Sequence, residues 1–218
     1  GNTITTAGED PECTVIILQS EGNRTFCAGA SFDELVAIDN ETNGKAFFMG
    51  FAKVINACRT CPKFIIGRVQ GKAVGGGVGV ASAVDYCIAS KYASVKLSEL
   101  AIGIGPFVVG PAVERKLGTS AFSQLAINAT EWKTAAWAQS KGLYHEVFDD
   151  NTQVDDYVAD LAKRLSGMNP EAMKLLKEVC WKGTENWGDL LEERAAMSGK
   201  LVLSDFTKSA IAKFKAKA

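Results

Sequence analysis

The 218-residue sequence has a single histidine, His145, only six cysteines, and no imbalance of charge, with 24 basic residues against 25 acidic ones. Each scarcity removes a class of function. One histidine in a short apolar segment would have to carry a Ser-His-Asp or Cys-His centre alone, and it reads better as a structural or surface imidazole. The lone Cys-x-x-Cys, Cys58 to Cys61, has no second pair and no histidine nearby, so no metal site is expected and redox chemistry is disfavoured. Several cysteines sit inside apolar runs, which points to reduced, buried thiols in a cytoplasmic protein. A net charge of −1 offers no general attraction to nucleic acid or to an anionic membrane, so any phosphate must be held locally. The apolar runs are short and broken by glycine, unlike a membrane span or a signal peptide. No fixed-period repeat, low-complexity run or long linker divides the chain.

What is present is glycine in the right company. The stretch from Lys63 to Ser90 holds an apolar run (Phe64, Ile65, Ile66, Val69), a turn, Gly75-Gly76-Gly77, a small-residue helix over Val78 to Val84, and a second apolar strand. A buried helix that opens on glycines exposes N–H groups without helical partners, and no Cβ keeps another group's oxygen away. With the helix dipole they suit an anion or a polarised carbonyl. The dinucleotide fingerprint is not met, because Gly77-x-Gly79 is followed by Val80-Ala81-Ser82, and no Gly-Lys-Ser/Thr marks a P-loop.

Around this centre, Cys13 to Gln19 reads as a strand covered on both faces. Ser31 is an N-cap for a helix Phe32 to Ile38, and apolar residues recur at helical spacing from Lys45 to Ala57 before Pro62. Strands over 85–90 and 94–97 precede a Gly/Pro-rich loop and a short helix Pro111 to Leu117. Alternation of strands with helices argues α/β. After Thr119 the pattern turns mostly helical, with segments Ala121–Ala129, Thr134–Ser140, Asp155–Leu165, Pro170–Trp181, Leu190–Gly199 and Asp205–Lys217, and one strand at Leu143–Phe148. The expected organisation is a β/α core over 1–148 and a C-terminal helical region over 149–218. Gly1 to Gly8 resembles the end of a helix, so further N-terminal sequence is expected.

Glu99 stands apart among the acids. It lies between an apolar strand and a glycine-rich loop, where burial raises a carboxyl pKa and suits it to carry protons near neutral pH. A helix cap is the competing role.

Three segments, Thr25 to Ala30 (TFCAGA), Gly71 to Asp85, and Glu99 to Gly118, resemble in order and spacing those of the crotonase superfamily, the enoyl-CoA hydratases and isomerases. The resemblance implies a spiral of β-β-α turns whose C-terminal helices build a homotrimer or a dimer of trimers. It implies an acyl-CoA thioester substrate, with coenzyme A as part of the substrate and no separate cofactor. The N–H groups of Ala30 and Gly76 would form the oxyanion hole. Ala28, Ser31 and Phe32 match the CoA-binding segment, with Ser31 in place of an aspartate, and Gly75, Ser98 and Phe107 complete the implied substrate site. Phe214 and Lys217 resemble C-terminal residues that reach the CoA of a neighbouring subunit.

One position departs from that pattern. Hydratases of this family carry a glutamate two residues after the triple glycine, where this chain has Gly79, while the second family glutamate is present as Glu99. Hydration uses two carboxylates, one for water and one for C2; moving a double bond between C3 and C2 needs one. The expected activity is therefore 3,2-enoyl-CoA isomerisation by Glu99. Two alternatives stand beside it: hydration of a short or branched enoyl-CoA with a second acid such as Glu114, and a non-catalytic acyl-CoA binder. If Gly79 marks the absent acid, Gly79→Glu is expected to introduce hydratase activity.

Overall fold

The structure, a computed structural model, describes residues 1–215. After helix α1 (Asn2–Glu9) the chain winds through strand–strand–helix turns, each giving one strand to each of two sheets. The first turn comprises β1 (Ile16–Leu18), β2 (Thr25–Cys27), α2 (Phe32–Val36) and α3 (Glu41–Thr60). The second comprises β3 (Ile65–Val69), β4 (Lys72–Val74) and α4 (Gly76–Ala83). The third comprises β5 (Tyr86–Ser90), β6 (Ser94–Lys96), a 3₁₀ turn (Leu100–Ile102) and α5 (Gly110–Ile127). Then come β7 (Lys133–Thr134), α6 (Ala135–Ser140), β8 (Glu146–Phe148), α7 (Asn151–Ser166), α8 (Pro170–Cys180), α9 (Trp187–Leu201) and α10 (Asp205–Lys215). One sheet has the order β1-β3-β5-β8 and is parallel; the other is β2-β4-β6-β7, parallel except for β6 with β7. This is the α/β spiral that the resemblance implies.

The apolar run at the centre of β3 follows from its place between two layers. Ile65 joins the main core with Ile55 and Ala52 of α3, while Ile66 joins Ile88, Val154 and Val158 beneath α7. A strand covered on both faces gains from apolar residues at successive positions, and each fully buried isoleucine contributes about 1.5–3 kcal/mol.

Two strands of the second sheet, β2 and β4, are absent from the sequence reading, which has only a turn between the Phe64–Val69 run and Gly75. β2 and β4 are three residues each, too short to display alternation. They are strands because they pair, Thr25 with Lys72 and Cys27 with Ala73. Likewise the helices expected at Pro111–Leu117 and Ala121–Ala129 run together as α5, kinked at Gly118.

The later helices are fastened by specific contacts. Asp85 accepts hydrogen bonds from Lys177 Nζ, Trp181 Nε1 and the Ile65 amide, each at 2.8 Å, which ties α8 to the start of β3. Helix α9 crosses α3 where two glycines meet: a Cβ on Gly44 would come within 2.6 Å of the Gly199 carbonyl. Helix α10 lies over the 3₁₀ turn, where Gly103 touches Phe206 and Thr207. None of the described helices is long and apolar enough to cross a membrane.

Candidate active site

Strands β2, β4 and β6 lie side by side and parallel, so the segments that leave their C-terminal ends converge. From β2 come Ala28, Gly29 and Ala30; from β4, Gly75 and Gly76; from β6, Ser98 and Glu99. All seven line one cavity of about 210 Å³. The walls of this cavity are mostly apolar, with Phe32, Phe48, Phe51, Ile102, Ile104 and Phe107 among them.

Glycine is what allows the convergence. Gly29 (φ +86°) approaches β4 so closely that a Cβ would lie 2.8 Å from the Val74 carbonyl and 3.6 Å from the Gly76 nitrogen. Gly75 (φ +52°) gives its N–H to the Lys96 carbonyl at 2.8 Å and caps α4, its own carbonyl accepting from the Val78 amide at 2.9 Å. Gly76, as the first helical residue, has an N–H with no acceptor within the helix. The Phe51 ring packs against it, 2.1 Å from where a Cβ would stand. Ala30 and Gly76, the two expected oxyanion donors, therefore edge the same cavity.

Glu99 reaches this cavity from the 3₁₀ turn, whose Ile102 and Ile104 amides donate to its carbonyl at 3.2 and 3.0 Å. Its carboxylate lies against the glycine run, with Oε1 2.9 Å from the Cβ position of Gly75. Oε2 is buried and has no hydrogen-bond partner. Burial without a cation pushes the Glu99 pKa up from 4.5 to about 7, its own backbone amide opposing this only in part. Among the described cavity-lining residues it is the only carboxylate. A carboxyl at a cavity wall, with one unpartnered oxygen and a pKa raised toward neutrality, is equipped to take and return a proton.

The structure also brings Phe214 to this cavity, and in a way the sequence did not indicate. Phe214 stacks on Phe32 of its own chain with centroids 6.2 Å apart. Ser31 does not line the cavity; its hydroxyl accepts from the Glu34 amide at 3.4 Å and caps α2. Lys217 lies outside the described residues.

The structure places both positions considered for a second acid. Glu114 is not at the cavity, and its carboxylate accepts from Thr119 Oγ1 at 2.6 Å. Position 79 is closed by a residue of the cavity wall: a Cβ there would stand 2.4 Å from Val109 Cγ1, so Val109 fills the space a side chain would need. Gly79→Glu does not simply restore an acid.

His145 is accounted for structurally. Its Nδ1 accepts from the Cys87 amide at 3.0 Å and its ring stacks on Tyr86 at 4.3 Å, while burial lowers its pKa and keeps it neutral. Burial pushes the thiols of Cys58 and Cys87 up to about 12, so neither supplies a thiolate nucleophile. Among the described residues no three of His, Cys, Asp or Glu are grouped as metal ligands.

Sequence reasoning missed Phe48, Phe51, Lys96, Val109 and Ser198 as parts of the site. The two phenylalanines announce only a helix face, and Ser198 arrives from α9, about a hundred residues further on than Glu99. No local signal could place them.

Comparison with known proteins places this geometry. The family model described as enoyl-CoA hydratase/isomerase matches residues 2–217. The chain is similar to a peroxisomal Delta(3,5)-Delta(2,4)-dienoyl-CoA isomerase of Arabidopsis thaliana, with 26% identity over 81% of this chain and 67% of that protein. It is similar also to a short-chain-enoyl-CoA hydratase of Clostridium acetobutylicum, with 29% identity over the same shares. A mitochondrial methylglutaconyl-CoA hydratase of Mus musculus is 29% identical over 81% of this chain, which spans 57% of that protein. Among solved structures, an enoyl-CoA hydratase from Bacillus halodurans superposes with a TM-score of 0.88 at 21% identity, covering 97% of this chain and 86% of the other.

Proposed function

The chain belongs to the enoyl-CoA hydratase/isomerase family, and from that premise we propose that it isomerises 3-enoyl-CoA to 2-enoyl-CoA with Glu99 as sole acid/base. The observation that carries this reading is the single carboxylate at the cavity, with position 79 occupied by packing against Val109. In the proposed reaction the thioester carbonyl accepts hydrogen bonds from the Ala30 and Gly76 amides. Ionised Glu99 removes a proton from C2, and the electron pair delocalises onto the carbonyl oxygen as a dienolate held by those two donors. Glu99 then delivers the proton to C4, leaving the double bond between C2 and C3. The apolar walls keep water from the dienolate, and the chemistry asks for no cofactor beyond the CoA that the substrate carries.

Hydration is the competing activity, since the relatives include proteins named for both chemistries. Incubating the protein with 3-enoyl- and 2-enoyl-CoA thioesters and following mass and ultraviolet absorbance separates them. Isomerisation conjugates the double bond at constant mass; a gain of one water on 2-enoyl-CoA overturns the proposal in favour of hydration, and no change on either overturns both.

We further propose assembly as a homotrimer or a dimer of trimers. Support comes from apolar side chains left exposed on α8 (Leu175, Leu176, Val179) and on α10 (Phe206). Light scattering at micromolar concentration checks it, and a monodisperse monomer overturns it.

A further inference from the structure

The outer face of the second sheet carries two lysines without acids. In the β4/β6 register Lys72 pairs with Ser94 and Val74 with Lys96, so these four share one face, while Ala73 and Val95 are fully buried on the other. Lys96 and Val74 both line the candidate active-site cavity. Trp132, at the entrance to β7, collects both ammonium groups: Lys96 Nζ lies 4.5 Å and Lys72 Nζ 5.3 Å from its ring centroid. Among the described residues neither has a carboxylate within ion-pair distance. The adjacent acid, Glu131, is committed elsewhere, to Lys133 at 2.9 Å and to the Asn128 amide. Two like charges held on one ring beside a low-dielectric cavity repel each other, and an anion placed between them relieves that repulsion.

The sheet order says which part of a bound thioester reaches them. The sequence β2-β4-β6-β7 puts the Ala28–Phe32 segment at one edge, the glycine run in the middle, and Glu99 with Trp132 toward the other edge. In the proposed binding mode the CoA arm lies over the β2 side, as the resemblance of Ala28 to Phe32 to a CoA-binding segment implies, and the carbonyl at Gly76, which directs the acyl chain toward β6 and β7. We infer that Lys96 and Lys72, backed by Trp132, form an anion subsite at the acyl end, so that the preferred substrate is an enoyl-CoA whose acyl chain ends in a second carboxylate. This rests on the acyl-CoA reading of the cavity given above.

Titration calorimetry of the whole chain with glutaryl-CoA and pentanoyl-CoA tests the subsite without turnover, because these saturated thioesters match in length and differ in ending in a carboxylate or a methyl. The wild-type protein is expected to bind glutaryl-CoA about tenfold or more tightly, as one charge-assisted contact allows, with the preference shrinking at high salt. Lys96→Met brings the ratio close to one, and Lys96→Arg keeps it. Lys72→Met, at an exposed strand position, lowers the same ratio and serves if Lys96→Met does not fold. Equal affinities in the wild type overturn the inference, as does a ratio that survives both methionine variants. So does an equal weakening of both ligands in Lys96→Met, which assigns the lysine to a CoA phosphate. A protein that selects glutaryl-CoA yet turns over no enoyl-CoA refutes the isomerase reading and leaves the subsite standing; one that isomerises without selectivity does the reverse.

Discussion

The Glu99 carboxylate rests on the bare Cα of Gly75, with Oε1 2.9 Å from the place a Cβ would occupy. Two segments more than twenty residues apart are thus fitted to each other at the cavity wall, where the proposed mechanism needs a proton carrier to face the oxyanion donors. Gly75→Ala puts a methyl group into that contact and a side chain on a left-handed backbone (φ +52°). Glu99 must move, and since a displacement of about 1 Å can cost 10²-fold, kcat on 3-enoyl-CoA is expected to fall by roughly that factor. Steady-state kinetics beside circular dichroism of the folded variant check it.

The proton chemistry has a predicted pH signature. Glu99 must be ionised to take the C2 proton, and its pKa is about 7. The value of kcat/KM should therefore rise with pH, through a midpoint near 7, and flatten above it. Glu99→Gln removes the base while keeping the shape, so turnover should drop by about 10²–10⁴-fold. A wild-type rate in that variant would dismiss Glu99 from the mechanism.

The same carboxyl should cost stability. Its pKa is raised from 4.5 in the unfolded chain to about 7 in the fold, so the folded state favours the protonated form. The protein is unpenalised below pH 4.5 and loses stability as pH rises toward 7, by at most about 3 kcal/mol. Glu99→Gln should accordingly raise Tm relative to wild type at pH 8 and change it little at pH 4. An equal shift at both pH values would contradict the burial argument.

Gly79→Glu is expected to destabilise rather than to confer hydration. The new side chain would collide with Val109, and overpacking costs about 1–3 kcal/mol before the buried charge is counted. A lowered Tm with no water addition to 2-enoyl-CoA is the predicted result. Hydratase activity in the single variant would show that Val109 yields more easily than its packing implies.

Lys177 is almost fully buried and holds Asp85 Oδ2 and the Lys63 carbonyl, each at 2.8 Å. Lys177→Met leaves the Asp85 carboxylate without its cation, a loss of about 3–5 kcal/mol for a buried pair. Chemical denaturation should show it, and the double variant with Asp85→Asn should lose less than the two single losses added together.

What the linear chain determined by itself was the central layer. The strand at Ile65–Val69 and the glycine-opened helix are written in local composition, because a strand covered on both faces must be apolar and a helix approached by another backbone must begin with glycine; the apolar flanks of Glu99 set it apart from the other acids, while its standing alone was implied by the family resemblance. Tertiary structure decided everything that depends on which segments meet. Strands β2 and β4 exist only through pairing, β2 with β4 and β4 with β6 as well. Ser31 caps α2. Val109 closes position 79 and Phe214 folds onto its own Phe32. Lys72, Lys96 and Trp132 meet only because β6 pairs with both β4 and β7. Local sequence limits what each residue is able to do, whereas proximity across long loops is set by packing the whole spiral, and no window of sequence contains that information.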